Sequence, residues 1–329
     1  MDVILQRFPV AVQDIFKQLD DKSLANCREV SKICRNFLDN DSLLWRRRIQ
    51  KYDKNQTEFQ EAWKLVTTKV PIEKLREIAL AVEKFYKLDL KEELENQHSP
   101  LHIGAAIGNI SICEYIVERT RMVNPARIDG TSPLHFASFM GHLEIVKYIA
   151  GHLENKNPPM NDGVTPLFFA AQEGHLEIVK YIAGHLEDKN PAANDGWTPL
   201  HMAALKGHLE IVKYIAGHLE NKNPAMNDGW TPLQAAAENG HMEIVKYIAG
   251  NLENKNPAIN DGWMPLHCAA HNGHLEIVKY IAGHLENKNP AWNTGWTPLH
   301  SASLRGHLEI VKYIAGHLFT LQLKMGIWK

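Results

Sequence analysis

Seven Pro-Leu dipeptides, starting at Pro100, Pro133, Pro166, Pro199, Pro232, Pro265 and Pro298, recur every 33 residues without an insertion. A fixed period of that length marks an array of equal units, each unable to bury its apolar face alone and therefore stacked on its neighbours. The unit from Asn194 to Ala225 carries its own structural instructions. Thr198 before Pro199 is an N-cap followed by proline at the first helical position, where the missing N–H has no intrahelical partner to lose. Ala203 and Ala204 allow close packing, and Gly207 ends this short helix. Leu209, Ile211, Val212, Ile215 and Leu219 mark one face of a second helix at the 3.6-residue period. Pro224 and the turn Asn227-Asp228-Gly229 then reverse the chain into a projecting finger.

The string T-P-L-H-x-A-A-x-x-G-H-L-E-I-V resembles the ankyrin repeat over about residues 99–318. The resemblance implies an all-α fold, a solenoid of helix-turn-helix units with β-hairpin fingers. Two departures stand out. The Asp that usually opens each finger is replaced by Arg127, Met160, Ala193, Met226, Ile259 or Trp292, and the usual Gly-Ala-Asp after the second helix gives way to His152-Leu153-Glu154-Asn155 and its equivalents. The second departure leads us to expect a longer second helix.

Ahead of the array, Phe8-Pro9, Ile15-Phe16, Leu19, Leu24, Cys27-Arg28, Val30-Ser31-Lys32 and Leu44-Trp45-Arg46 form a compact pattern that resembles the F-box. Phe8 stands for the commoner Leu, and Cys34 sits where Trp is common. The resemblance implies a small helical domain, residues 1–49, that docks a Skp-type adaptor of a cullin-RING ubiquitin ligase through Phe8, Pro9, Ile15, Leu19, Leu24 and Val30. A helical cap on the array is the plainer alternative. Between the two regions, residues 50–98 carry two amphipathic stripes, Phe59, Ala62, Trp63, Val66 and then Ile72, Leu75, Ile78, Ala79, Val82, Phe85, the second starting after Pro71. They are expected to pack on the first repeat as a connector, a cap, or both.

Several function classes fall away. The chain has 36 Lys and Arg against 38 Asp and Glu, a net charge of −2, so no overall basic field exists to draw nucleic acid or an anionic membrane. The first twenty residues mix Asp2, Arg7, Asp14 and Lys17 with apolar positions, and no apolar run reaches membrane-spanning length. Neither a signal peptide nor a membrane span is expected, and the location is cytoplasmic or nuclear. Cys27, Cys34, Cys113 and Cys268 have no C-x-x-C spacing, which reads as free thiols in a reducing compartment. Of 18 His, all but His98 and His271 recur at fixed repeat positions and do not converge on a metal. No G-x-S-x-G, P-loop or H-E-x-x-H is present. We therefore expect no cofactor, no metal and no catalysis by the chain itself.

Positions that differ between otherwise near-identical copies are the candidate cargo contacts, because every copy shares the same scaffold needs. By resemblance to ankyrin complexes, Phe169, Met202, Leu205, Lys206, Glu238, Asn239, His271 and Asn272 line a groove. Neutral drift at tolerant sites is the competing account. The residue after the finger Gly is Thr131, then Val164, then Trp197, Trp230, Trp263 and Trp296. These four indoles read either as a cargo-binding strip or as side chains stacked within the array. After Leu318 an apolar tail, residues 319–329, either covers the last repeat or is exposed. The combined reading is a substrate-recognition subunit of a ubiquitin ligase, holding a protein cargo on the array. The alternative is an ankyrin scaffold or inhibitor without a ligase.

Overall fold

The computed structural model describes residues 60–67, 70–87, 98–260 and 262–324. The F-box-like segment with Phe8, Pro9, Ile15, Leu19, Leu24 and Val30 lies outside the described residues, as do Cys27, Cys34, Phe59 and the Trp63 and Phe85 side chains. Among the described residues there are sixteen helices and no strand. In order they are α1 (Gln60–Thr67), α2 (Ile72–Lys87), α3 (Pro100–Ile107), α4 (Ile110–Thr120), α5 (Pro133–Phe139), α6 (Leu143–Gly151), α7 (Pro166–Glu173) and α8 (Leu176–Gly184). They continue with α9 (Pro199–Lys206), α10 (Leu209–Gly217), α11 (Pro232–Glu238), α12 (Met242–Gly250), α13 (Pro265–His271), α14 (Leu275–Gly283), α15 (Pro298–Arg305) and α16 (Leu308–Lys324). No described helix is long and apolar enough to cross a membrane. The chain divides into two compact units, Met1–Ala137 and Ser138–Lys329.

In the first unit, α2 packs on α3 and α1 on α4, the first repeat's helix pair. Val66, Leu75, Ile78, Ala79 and Val82 are buried with Leu101, Ile112 and Ile116. Three bonds pin the contact: Asn109 Nδ2 donates to Glu77 Oε1 at 2.9 Å, Lys74 Nζ donates to Ser111 Oγ at 2.5 Å, and Arg119 Nε donates to the Leu65 carbonyl at 3.3 Å. Cys113 is a free thiol here, and burial pushes its pKa up to about 12.

In the second unit, first helices pack on first helices (α7, α9, α11, α13, α15) and second on second (α6, α8, α10, α12, α14, α16). The core is Leu200, Ala203 and Ala204 with Ile211, Val212, Ile215 and Ala216, and their equivalents in the repeats up to α14, all at 2% exposure or less, while in the last repeat Leu299 and Val311 are half-buried and Ala315 is exposed. The Thr198 hydroxyl accepts from the His201 N–H, which starts α9 as its sequence requires. The fingers are turns closed by a pair of backbone bonds rather than strand ladders. In one, Ala193 N–H donates to Trp197 O at 2.8 Å and Gly196 N–H to Ala193 O at 2.9 Å. Asn190 Oδ1 at the finger base accepts the Leu200 N–H at 2.9 Å, satisfying an orphan donor of the next helix.

The histidines join the repeats. His201 Nε2 donates to Trp230 O of the next finger at 3.2 Å, while Nδ1 meets Thr198 Oγ1 at 2.8 Å. A carbonyl only accepts, so Nε2 carries the proton and Nδ1 is the acceptor. In the opposite direction, His241 Nε2 donates to Leu205 O of the preceding repeat at 2.9 Å. Its ring crosses Gly207, which has φ +86°; a Cβ there would lie 2.6 Å from the imidazole. Glycine is needed twice over, for its backbone angle and for its missing side chain.

Two expectations need correction. The second helices do not lengthen: α6, α8, α10, α12 and α14 each run nine residues and end at glycine, so Leu219 lies beyond α10. Lys156 Nζ donates to the carbonyls of Ala150 (2.8 Å) and Leu153 (2.6 Å), supplying the partners that a further turn would otherwise provide. Asn157 is committed to the Leu167 N–H, and Pro158 follows. The tail also does not begin at residue 319. Lacking an equivalent Lys-Asn-Pro, the last second helix continues to Lys324 over 17 residues.

Two predictions follow from these bonds. Burial holds the His201 pKa at about 4, against the ordinary 6.5, with smaller opposing contributions led by the Trp230 carbonyl. Because the folded value is the lower one, the unfolded chain takes up the proton first. Stability is intact above pH 6.5 and falls as pH drops toward 4, by on the order of 3 kcal/mol for this one residue. Gln234 fills the same slot in the next repeat, accepting from the Thr231 N–H and hydroxyl and donating to Trp263 O. His201→Gln should therefore fold and should lose less stability than the parent between pH 7 and pH 4 in urea titrations; parallel acid losses would place the proton uptake elsewhere. Met264 is the second case. It is the N-cap of α13 but makes no cap hydrogen bond, and Asn256 Nδ2 contacts its sulfur at 3.1 Å. Met264→Thr should raise stability by roughly 0.5–2 kcal/mol, and an unchanged urea midpoint would show that the thioether's packing matches the value of the cap.

Candidate interaction surface

The variable side chains stand on two neighbouring elements, the first helix of each repeat and the finger leading into it. Trp263 shows how these meet. Its indole stacks on His267 one turn into α13, with centroids 5.0 Å apart and planes at 28°. Its Nε1–H donates to Cys268 Sγ at 3.0 Å. It also meets Trp292, the finger residue of the next repeat, at 4.7 Å and 81°, and lies 6.3 Å from His271. Offset or edge-to-face contacts of this kind suit aromatic quadrupoles.

Trp296 repeats part of the pattern: it tilts over His300 at 5.3 Å and donates from Nε1 to Ser301 Oγ at 3.0 Å. Trp197 meets His201 edge-on at 5.8 Å. The Trp230 indole makes no ring contact or hydrogen bond among the described residues. Trp197, Trp230 and Trp263 are half-buried, and Trp296 is 38% exposed. Trp197, Trp263 and Trp296 therefore lean on the first helix of their own repeat, and all four indoles keep part of their surface in solvent.

Phe169 is half-buried, 5.8 Å from Phe139 and 6.2 Å from Phe168. Met202 and Leu205 are half-buried; Lys206, Glu238, Asn239 and Asn272 are exposed. Burial raises the Glu238 pKa above the ordinary carboxylate value. Asn239 and Asn272 have a structural task, because their Nδ2 groups donate to Ala235 O (2.9 Å) and Cys268 O (3.0 Å) at the ends of α11 and α13. His271 accepts from Arg305 at 2.7 Å and 3.0 Å, and its pKa is lowered by burial first and then by Arg305 and His307. Trp292 and Arg305, which also vary between copies, border the same surface, whereas Cys268 and Ser301 vary too but lie buried beneath the indoles that donate to them. The bonds from Trp263 to Cys268 and from Trp296 to Ser301 both span five residues and cross from finger to helix. Among the described residues no group of three His, Cys, Asp or Glu could hold a metal ion.

The contacts separate the indoles energetically. Trp263→Ala removes a stacked ring, an edge contact and a hydrogen bond, and should cost roughly 1–3 kcal/mol, below the range for a fully buried aromatic. Trp230→Ala should cost less. Urea denaturation of the two variants checks this, and equal losses would show that the contacts of Trp263 contribute nothing net.

The family model for ankyrin repeats (three copies) matches the chain in overlapping windows, from 76–160 and 101–192 through to 251–323, and the F-box domain model matches residues 5–46. The first window reaches back into α2. No curated protein matches the sequence. Both modules are typically non-catalytic interaction modules, F-box domains toward Skp-type adaptors and ankyrin repeats toward protein partners. The chain belongs to the ankyrin-repeat family, as an F-box protein whose repeat array follows the F-box.

Proposed function

We propose that this protein is a substrate-recognition subunit of a Skp/cullin/F-box ubiquitin ligase, working in the cytoplasm or nucleus. The F-box docks a Skp-type adaptor through Phe8, Pro9, Ile15, Leu19, Leu24 and Val30, and the array holds a protein cargo on its finger and first-helix side chains. The observation that carries this reading is the order of modules: an F-box match at 5–46 ahead of an array in which variable side chains such as Trp263, His271 and Trp292 come together. Such a chain needs no reactive group. Tethering cargo beside a ubiquitin-charged enzyme converts a bimolecular transfer into a local one at raised effective concentration.

Full-length protein with Pro9→Ala and Leu19→Asp tests the ligase half of the proposal. Losing an apolar anchor and placing a charge at a desolvated contact should weaken adaptor binding by at least about tenfold, with array stability unchanged. Affinity purification should recover adaptor and cullin with the parent and neither with the variant. Adaptor recovered equally with both would reject these docking positions, and adaptor recovered with neither would favour a scaffold or inhibitor without a ligase.

A further inference from the structure

The fingers of the second unit carry charge of one sign. Residues 158–165, 191–198, 224–231, 257–264 and 290–297 include four Asp, at 162, 195, 228 and 261, and no Lys, Arg, His or Glu. Asp162, Asp195 and Asp228 are exposed. In each, Oδ1 accepts the N–H of the residue two positions on, Val164, Trp197 and Trp230, at 3.0, 3.0 and 2.9 Å. That bond fixes the carboxylate beside the tryptophan position without cancelling its charge.

The nearest lysines in sequence do not neutralise the row. Lys156, Lys189, Lys222 and Lys288 donate to the carbonyls of Ala150, Ala183, Ala216 and Ala282 at 2.7–2.8 Å, so their ammonium groups serve the ends of the second helices. Lys206 and Arg305 stand at first-helix exits, and Arg305 is drawn onto His271. Fingers are linked edge to edge, since Asn194 Nδ2 donates to Asn161 O and Asn227 Nδ2 to Asn194 O, each at 3.1 Å. The partly exposed indoles of Trp197, Trp230, Trp263 and Trp296 therefore recur as an apolar strip, one to a finger, with the exposed carboxylates of Asp195 and Asp228 two residues before Trp197 and Trp230.

Packed helices stand about 8–10 Å apart, and an extended chain advances about 3.3 Å per residue. Three extended residues thus span one repeat.

We propose that this strip seats an extended cationic segment of the protein cargo, with Lys or Arg recurring about every third residue, each cation set between a finger carboxylate and an indole face. The inference rests on the fingers being part of the cargo face. Charge complementarity identifies the occupant: the row offers carboxylates and π faces, both of which attract cations, and no finger residue opposes one.

Full-length protein and a labelled peptide of four Arg-Ser-Ser units test this, with a Glu-Ser-Ser peptide as control and fluorescence anisotropy as readout. The Arg peptide should bind at least about tenfold more tightly than the Glu peptide and should weaken as salt rises and the Debye length shortens. Asp162→Asn, Asp195→Asn and Asp228→Asn combined keep the Oδ1 acceptor, so the urea midpoint should hold while Arg-peptide binding falls at least about tenfold. Equal binding of the two peptides, or an Arg peptide indifferent to the triple variant, would overturn the proposal. A cross-linked protein cargo lost on Trp230→Ala but retained by the triple variant would reject the cationic occupant and leave the cargo face standing. Cargo and peptide both indifferent to Trp230→Ala and to the triple variant would reject both.

Discussion

One hydrogen bond, repeated along the second unit, holds successive repeats in register. The histidine before each second helix donates from Nε2 to a carbonyl at the first-helix exit of the preceding repeat: His175 to Phe139, His208 to Gln172, His241 to Leu205, His274 to Glu238 and His307 to His271, all at 2.9–3.0 Å. The glycine of the preceding repeat leaves room for the ring, so glycine and histidine are constrained as a pair across the repeat boundary. A second set of bonds, such as His201 to Trp230 O and Gln234 to Trp263 O, ties each first helix to the next finger.

Both sets end on backbone carbonyls. The acceptor residues can therefore change side chain without weakening the joint. Phe139, Gln172, Leu205, Glu238 and His271 are five different residues at one structural position, and Thr131 stands where Trp230 and Trp263 stand in other repeats. The scaffold leaves variation free at the first-helix exits and finger bases, the positions whose side chains reach solvent and each other. Function as an interaction module comes from that separation: constant side chains bond to the backbone, and variable side chains are left to meet a partner.

Helix length follows the same economy of partners. A second helix stops after nine residues because a lysine beyond it takes up its last carbonyls, and where that lysine and its Asn-Pro are missing the helix continues. Cap chemistry shows equal locality. Met264 breaks the Thr pattern at one helix start, and the structure accordingly has no side-chain cap there.

The sequence by itself determined the repeat, its helix pairs, their caps and the assignment of nearly all histidines to the scaffold, because these depend on short-range chemistry copied at a fixed period. It also exposed the variable positions, by comparison of one copy with the next. Only the tertiary structure decided that Trp263 would bond to Cys268 and meet Trp292, that Asn239 and Asn272 would cap helices, and that Lys156 would close a helix thought to run longer. Each of these is a choice between partners that a periodic pattern leaves equally available. It is settled by which donor and acceptor the packed helices bring within about 3 Å.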